Sequence, residues 1–353
     1  MRIALITSFP NDVSVGSGVV RMMRGYGQAL KDRGLQVDLI QPDYHPASYL
    51  NLAVRRLRFN KYLLLKNYDW VIGSDFDGFT IRDGQLPKIV LNAGILADII
   101  RFESGKTQSI LKHLSLRECQ NVHSAQAVIV PSKYTAQKVR EFYGVSPRRI
   151  RIIPLGIDLE RWQAHLKKVR QKPDRPPTIL CVAKQYPRKG IADLIRAHAK
   201  ILTALPQVHL CLVGSGPEFE ANRKLAQNMG IAANINFVGD VNDDALLAEY
   251  YRNADVFCLP SYHETFGIVF VEAMAAGLPV VAYRTTAVPE VVAENTGILI
   301  EQGNIDRLAQ NLVNLLSDVK LRQELGRAAR MHARKFTWEN SAERLIPLLK
   351  SAF

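Results

Sequence analysis

Short apolar runs alternate with longer amphipathic ones along all 353 residues, as in parallel β-strands joined by helices. In the first half, residues 2–8 read as a strand, followed by a loop through Gly18, a helix to about Arg33 and a strand at 36–41. Further strands are predicted at 70–73, 89–92, 127–131 and 149–154, with a helix over 133–143 stopped by Gly144. The polar, proline-bearing stretch 163–177 interrupts the pattern as an interdomain linker. The alternation then restarts. Strands are expected at 178–183, 208–213, 235–238, 254–259, 280–282, 289–292 and 297–300, with helices at 191–205, 218–229 and 243–253. Residues 305–353 read as a helical tail anchored by Trp338 and Phe353. The fold class is therefore α/β, with two Rossmann-like domains spanning residues 1–162 and 178–337 and a last helix over 338–353.

One predicted helix breaks its own pattern. From Phe266 to Ala276 every residue is apolar or small except Glu272, and Glu264 lies eight positions before it. A helix apolar on all sides is buried. A carboxylate inside it costs several kcal/mol unless hydrogen-bond donors meet it. Either the fold supplies a cation or a ligand supplies hydroxyls.

Composition is that of an ordinary globular chain, 47% hydrophobic and 22% charged. No apolar run reaches membrane-spanning length, and the opening residues turn polar too soon for a signal peptide. Cys119, Cys181, Cys211 and Cys258 are scattered, mostly in strand-like runs, which points to buried thiols in a reducing, cytoplasmic setting. The net charge of +13 is uneven: residues 1–157 carry 22 Lys and Arg against 12 Asp and Glu. The densest basic patch, between Arg55 and Lys66, is interleaved with large apolar residues. It suits either a solvated helix face or peripheral contact with an anionic membrane surface, here the inner face. No RNA- or DNA-binding motif accompanies it, so nucleic acid is not expected.

Three glycine- or lysine-bearing turns follow predicted strands. Gly16-Ser17-Gly18 opens a helix and can present backbone N–H groups to phosphate, although Arg21 stands where a dinucleotide fingerprint needs glycine. Lys184, Arg188 and Lys189 flank the turn after the strand at 178–183, where a helix dipole also favours anions. Gly214 begins a Gly-Ser-Gly-Pro turn after the strand at 208–213. Each turn could equally serve chain reversal alone. Asp75 and Asp77, one residue apart, are read as turn chemistry or an acceptor contact in preference to a metal pair.

With these residues in view, the chain resembles the retaining glycosyltransferases of the GT-B fold, family 4 (group 1), over nearly its whole length and most specifically from Thr178 to Ile300. The resemblance implies two Rossmann-like domains facing across a cleft, with the last helix, 338–353, packing back on the first. It also implies a nucleotide diphosphate sugar donor and a hydroxyl acceptor, either a glycan, a lipid-linked or anionic group, or a small molecule. It implies that Glu272 binds the donor ribose and that Glu264 lies beside the donor sugar. Lys184 and Lys189 correspond to the basic pair on the diphosphate, with Lys184 in place of the more usual arginine. Gly16, Ser17, Gly18 and Gly214 would line the donor, together with the segment Thr265, Phe266, Gly267, Ile268 and Val269. Many members carry a histidine in the first half where this chain has Asn92 or Ala93; Asn92 and Asp98 are weaker acceptor-side substitutes. No cofactor or metal is expected, because the lysines and helix-end N–H groups can meet the charge of the leaving diphosphate. Two alternatives stay open: a nucleotide-sugar epimerase or phosphorylase of the same fold, and a non-enzymatic binder of acidic polymers.

Overall fold

The computed structural model of the chain describes residues 1–10, 17–44, 46, 48–81, 84–170 and 174–350, with only the backbone at Ser17. The chain divides into two compact units, Met1–Gly156 with Trp338–Phe353, and Ile157–Thr337.

The first unit runs β1 (Arg2–Ile6), α1 (Ser17–Lys31), β2 (Gln36–Ile40), α2 (Tyr49–Lys61), β3 (Trp70–Ser74), β4 (Lys88–Leu91), α3 (Leu96–Ile99), α4 (Gly105–His123), β5 (Ala127–Val130), α5 (Lys133–Tyr143) and β6 (Ile150–Ile152). Its six strands, all parallel, lie in the order β2-β1-β3-β4-β5-β6. Ile3, Leu5, Val71, Ile72, Ile89 and Val90 are fully buried. Strands covered on both faces need such continuous apolar runs in place of alternation. Local chemistry sets the helix ends: the Ser132 hydroxyl caps α5 by accepting from the Thr135 N–H at 3.1 Å, and Gly144 ends it in the left-handed region.

The second unit runs α6 (Leu159–Lys168), β7 (Thr178–Val182), α7 (Ile191–Ala204), β8 (His209–Val213), α8 (Phe219–Asn228), β9 (Ile235–Gly239), α9 (Asp244–Arg252), β10 (Val256–Leu259), α10 (Ile268–Ala276), β11 (Val280–Tyr283), α11 (Val288–Val291), β12 (Gly297–Ile300), α12 (Ile305–Ser317) and α13 (Val319–Ala333). The parallel order here is β12-β11-β10-β7-β8-β9. The chain then returns to the first unit as α14 (Trp338–Lys350), which packs on α1. Trp338 stacks obliquely on Tyr26 at 5.4 Å, and the Trp70 indole N–H donates to the Leu349 carbonyl at 3.0 Å.

Two boundaries differ from the sequence expectation. The units divide at Gly156/Ile157, not within 163–177, because residues 159–168 form a helix whose apolar side buries Trp162 and Leu166. The polar residues there are the solvated face of α6. Residues 289–292 are not a strand: Pro289 sits in the first turn of α11, where its missing N–H is no loss.

Each sheet has one point where the strand order turns back. It lies between β1 and β3 in the first unit and between β7 and β10 in the second. Ligands of open parallel sheets bind outside the carboxyl ends of the strands at such points.

Candidate active site

In the second unit the carboxyl ends of β7 and β10 lead into residues 183–190 and 260–267. The two segments are laced together. Gly190 adopts φ +66°, and a Cβ there would stand 2.0 Å from the Pro260 carbonyl oxygen, so only glycine permits the approach. The Tyr262 N–H donates to the Arg188 carbonyl at 2.8 Å. Asp193, in the first turn of α7, accepts from the Tyr283 hydroxyl at 2.9 Å and, more tightly, from the Tyr262 hydroxyl. These ties bring the Lys189 ammonium to 2.6 Å from Glu264 Oε1, which also accepts from the Ser261 hydroxyl at 3.0 Å. The Glu264 N–H donates to the hydroxyl of Thr286, itself at φ +46°.

Glu272 sits on α10 with 5% exposure. Its Oε2 accepts from the Tyr251 hydroxyl at 3.0 Å. The Trp162 indole donates to the Glu272 carbonyl at 3.1 Å and packs edge-on against the Tyr251 ring. Gly267, at φ +86°, precedes α10, and a Cβ there would strike the Phe270 ring at 2.5 Å. The Phe266 ring is buried against Phe336, which leaves its backbone as the part able to meet a ligand. Thr265, Ile268 and Val269 are half-buried around the start of α10. The first N–H groups of a helix lack partners within it and suit an anion.

Lys184 follows β7 and contacts Asp240 Oδ2 at 2.7 Å. Gly214, at φ +116°, lets its turn approach the Ala183 carbonyl, which a Cβ would meet at 2.1 Å. Sequence reasoning missed Asp193, Tyr251, Ser215 and Asp240. For Asp240 the available signal was its place just past a predicted strand, 235–238, where a parallel sheet presents residues to a ligand.

The first-unit residues behave differently. Gly16 lies outside the described residues, and Gly18, in the first turn of α1, has none of the described residues within 4 Å of where a Cβ would stand. Asn92 is fully buried and donates to Glu118 at 3.2 Å, while Asp98 accepts from the Tyr134 hydroxyl at 2.5 Å and pairs with Arg101. Both are thus engaged within their own unit. Asp77 accepts from the Ser8 N–H, the Ser74 hydroxyl and the Asn60 amide at 2.7–3.0 Å. Arg56 stands 3.8 Å from both Asp75 and Asp77, sandwiched between the Phe9 and Phe76 rings. It is 5% exposed and therefore does not belong to the surface patch expected between Arg55 and Lys66. Burial raises the Asp75 carboxyl to about 7, with Arg56 opposing and the Asp77 charge adding. Burial and the Asp75 charge raise Glu118 to about 8, although Tyr143, the Leu96 N–H and Asn92 all donate to it.

Residues 163–332 match the family described as Glycosyl transferases group 1, and residues 100–161 match Glycosyltransferase Family 4. The D-inositol 3-phosphate glycosyltransferase of Corynebacterium jeikeium is 33% identical over 314 residues, covering 84% of this chain and 74% of the relative. The chain belongs to the group 1 glycosyl transferases. A GDP-mannose-dependent alpha-(1-6)-phosphatidylinositol monomannoside mannosyltransferase of Mycobacterium tuberculosis is also 33% identical, over 62% of this transferase and 60% of its own length. Among solved structures, sucrose-phosphate synthase from Thermosynechococcus elongatus superposes with a TM-score of 0.81 at 24% identity, covering 100% of this chain and 99% of that one. HepE of Anabaena, in complex with UDP and glucose, gives 0.73 at 18% identity over 99% and 100% of the two chains. These likenesses show the fold, the two-domain α/β architecture of the GT-B transferases.

Proposed function

We propose that this transferase moves a sugar from a nucleotide diphosphate sugar to a hydroxyl acceptor, with retention at the anomeric carbon. The observation that carries the reading is the convergence of Lys189, Glu264 and the start of α10 at the turning point of the second sheet. In this reading Lys184, Lys189 and the N–H groups opening α10 meet the diphosphate. Glu264 positions the sugar, and Glu272 takes the ribose hydroxyls. As the anomeric C–O bond breaks, negative charge grows on the leaving diphosphate. Groups already aimed at it then stabilise the transition state more than the ground state. No carboxylate nucleophile is assigned; Glu264, bonded to Lys189 and Ser261, is suited to holding the sugar. The printed names of relatives and neighbours, GDP-mannose-dependent in one case and bound to UDP and glucose in another, support a nucleotide-linked donor.

The test is turnover with a panel of nucleotide sugars, following the product's anomeric configuration by proton NMR. Lys189→Ala is expected to slow turnover roughly 100-fold, by analogy with loss of one oxyanion donor. Excess EDTA is expected to leave wild-type activity intact. Near-wild-type turnover in the variant removes the diphosphate role, and an inverted product removes retention.

A second proposal concerns the acceptor side. Leu50, Tyr62 and Leu64 are 58%, 71% and 84% exposed, and Arg55, Arg58, Lys61 and Lys66 are exposed beside them. Exposed apolar residues ringed by cations fit peripheral contact with an anionic membrane carrying a lipid-linked acceptor. Among the described residues no helix is long and apolar enough to cross a membrane. Cosedimentation with phosphatidylglycerol vesicles but not with phosphatidylcholine vesicles is expected; equal recovery with both defeats the proposal.

A further inference from the structure

We propose that Lys184 and Ser215 form an oxyanion cradle for a phosphate of the donor, and that Asp240 is an internal anion which the donor displaces from that cradle. The inference rests on the donor reading above and adds two residues to it.

Three neighbouring strands of the second sheet, β7, β8 and β9, end at Val182, Val213 and Gly239. The residues just beyond them meet. Asp240 Oδ1 accepts from the Ser215 backbone N–H at 2.9 Å, and Oδ2 accepts from the Ser215 hydroxyl at 2.5 Å and the Lys184 ammonium at 2.7 Å. One ammonium, one backbone N–H from a Gly-Ser-Gly turn and one hydroxyl is the donor set that phosphate sites use. The Asp240 carboxylate thus shows what this cradle accepts.

The turn is built to hold that N–H in place. Gly214 and Gly216 both lie at positive φ, and a Cβ on Gly216 would come within 2.7 Å of the Gln185 backbone. The Gln185 N–H donates to the Ser215 carbonyl at 2.8 Å, and the Gln185 amide group donates to the Gly214 carbonyl at 2.9 Å. The turn is therefore fixed to the Lys184 segment whether or not Asp240 is present. Burial opposes ionisation of Asp240, yet the bonds from Lys184 and Ser215 outweigh it and hold its carboxyl below the usual range.

Accessibility decides between a structural pair and a displaceable one. The Lys184 and Asp240 side chains are 28% and 29% exposed. An ion pair this open to water contributes little to stability, so a polyanion can replace one partner. A diphosphate brings more charge to Lys184 than Asp240 does. The same carboxylate, left in place, discourages weakly charged ligands.

Calorimetry of the full chain with UDP and with GDP tests this, using Asp240→Asn, Ser215→Ala, Lys184→Ala and Lys189→Ala. Asp240→Asn is expected to bind the preferred diphosphate roughly two- to five-fold more tightly, the release of one exposed ion pair. In turnover the same variant is expected to lower the donor KM. Ser215→Ala and Lys184→Ala are expected to weaken binding. Equal or weaker binding by Asp240→Asn, with thermal unfolding like wild type, overturns the displacement. Unchanged affinity in Lys184→Ala alongside a loss in Lys189→Ala overturns the cradle but spares the donor reading. Unchanged affinity in both lysine variants removes both.

Discussion

Asp75 holds its backbone at φ +51°, a region that side-chain-bearing residues seldom occupy, and its carboxyl is buried beside Arg56. Together with Glu118 it retains a proton in the folded state that the unfolded chain gives up, since their values rise from 3.8 to about 7 and from 4.5 to about 8. For acids raised in this way the native state binds more protons, so stability falls as pH rises through the window. His198, kept neutral by burial, acts in the opposite sense below about 6.5. Between pH 6.5 and 8 the carboxyls therefore dominate. Thermal unfolding is expected to shift to lower temperature across that interval, and Asp75→Asn is expected to flatten the slope. An identical slope in the variant would place the proton elsewhere.

At the scale of single elements, α10 is the most constrained. Glycines at φ +86° and +80° bound it, and Gly326 of α13 approaches the Gly277 carbonyl so closely that a Cβ would stand 2.3 Å away. Phe270, Val271 and residues 273–275 are buried around Glu272, so the helix has little freedom to reorient its carboxylate. Glu272→Gln keeps the volume and an acceptor for Tyr251 but removes the charge. If ribose hydroxyls meet this side chain, calorimetric affinity for a nucleoside diphosphate is expected to fall about tenfold, the lower end of what a hydrogen bond to a charged group contributes. Unchanged affinity would remove the ribose role.

Across the whole molecule, what could be read from the sequence follows from how locally each feature is encoded. Both parallel sheets were readable because buried strands carry their own apolar runs, as in Leu180–Cys181 and Val280–Val281. Lys189 and Glu264 were readable because each belongs to a compact motif, and the structure brings them together at 2.6 Å. Asp240, Ser215 and Lys184 come from the ends of three strands, so their meeting depends on strand order, which spacing does not encode. Arg56 misled for the converse reason: its neighbours Arg55 and Arg58 are exposed, but a turn of α2 carries it inward between two rings. The remaining cations of that patch give the vesicle binding proposed above an ionic-strength signature. It should weaken as the Debye length shrinks from about 10 Å at 0.1 M salt to about 3 Å at 1 M.

The return of the chain as α14 has a consequence for how the protein is made. Gly25 of α1 lies directly beneath Trp338, whose ring would stand 2.1 Å from a Cβ at that glycine, and Arg33 pairs with Glu343 at 2.8 Å. The first unit thus leaves the ribosome lacking one wall of its own core, and the whole of Ile157–Thr337 is synthesised before that wall arrives. Domains generally fold as units during synthesis, N-terminal first. Here the unit begun first is completed last, and the α1 surface that Trp338 covers waits uncovered while the second unit is translated.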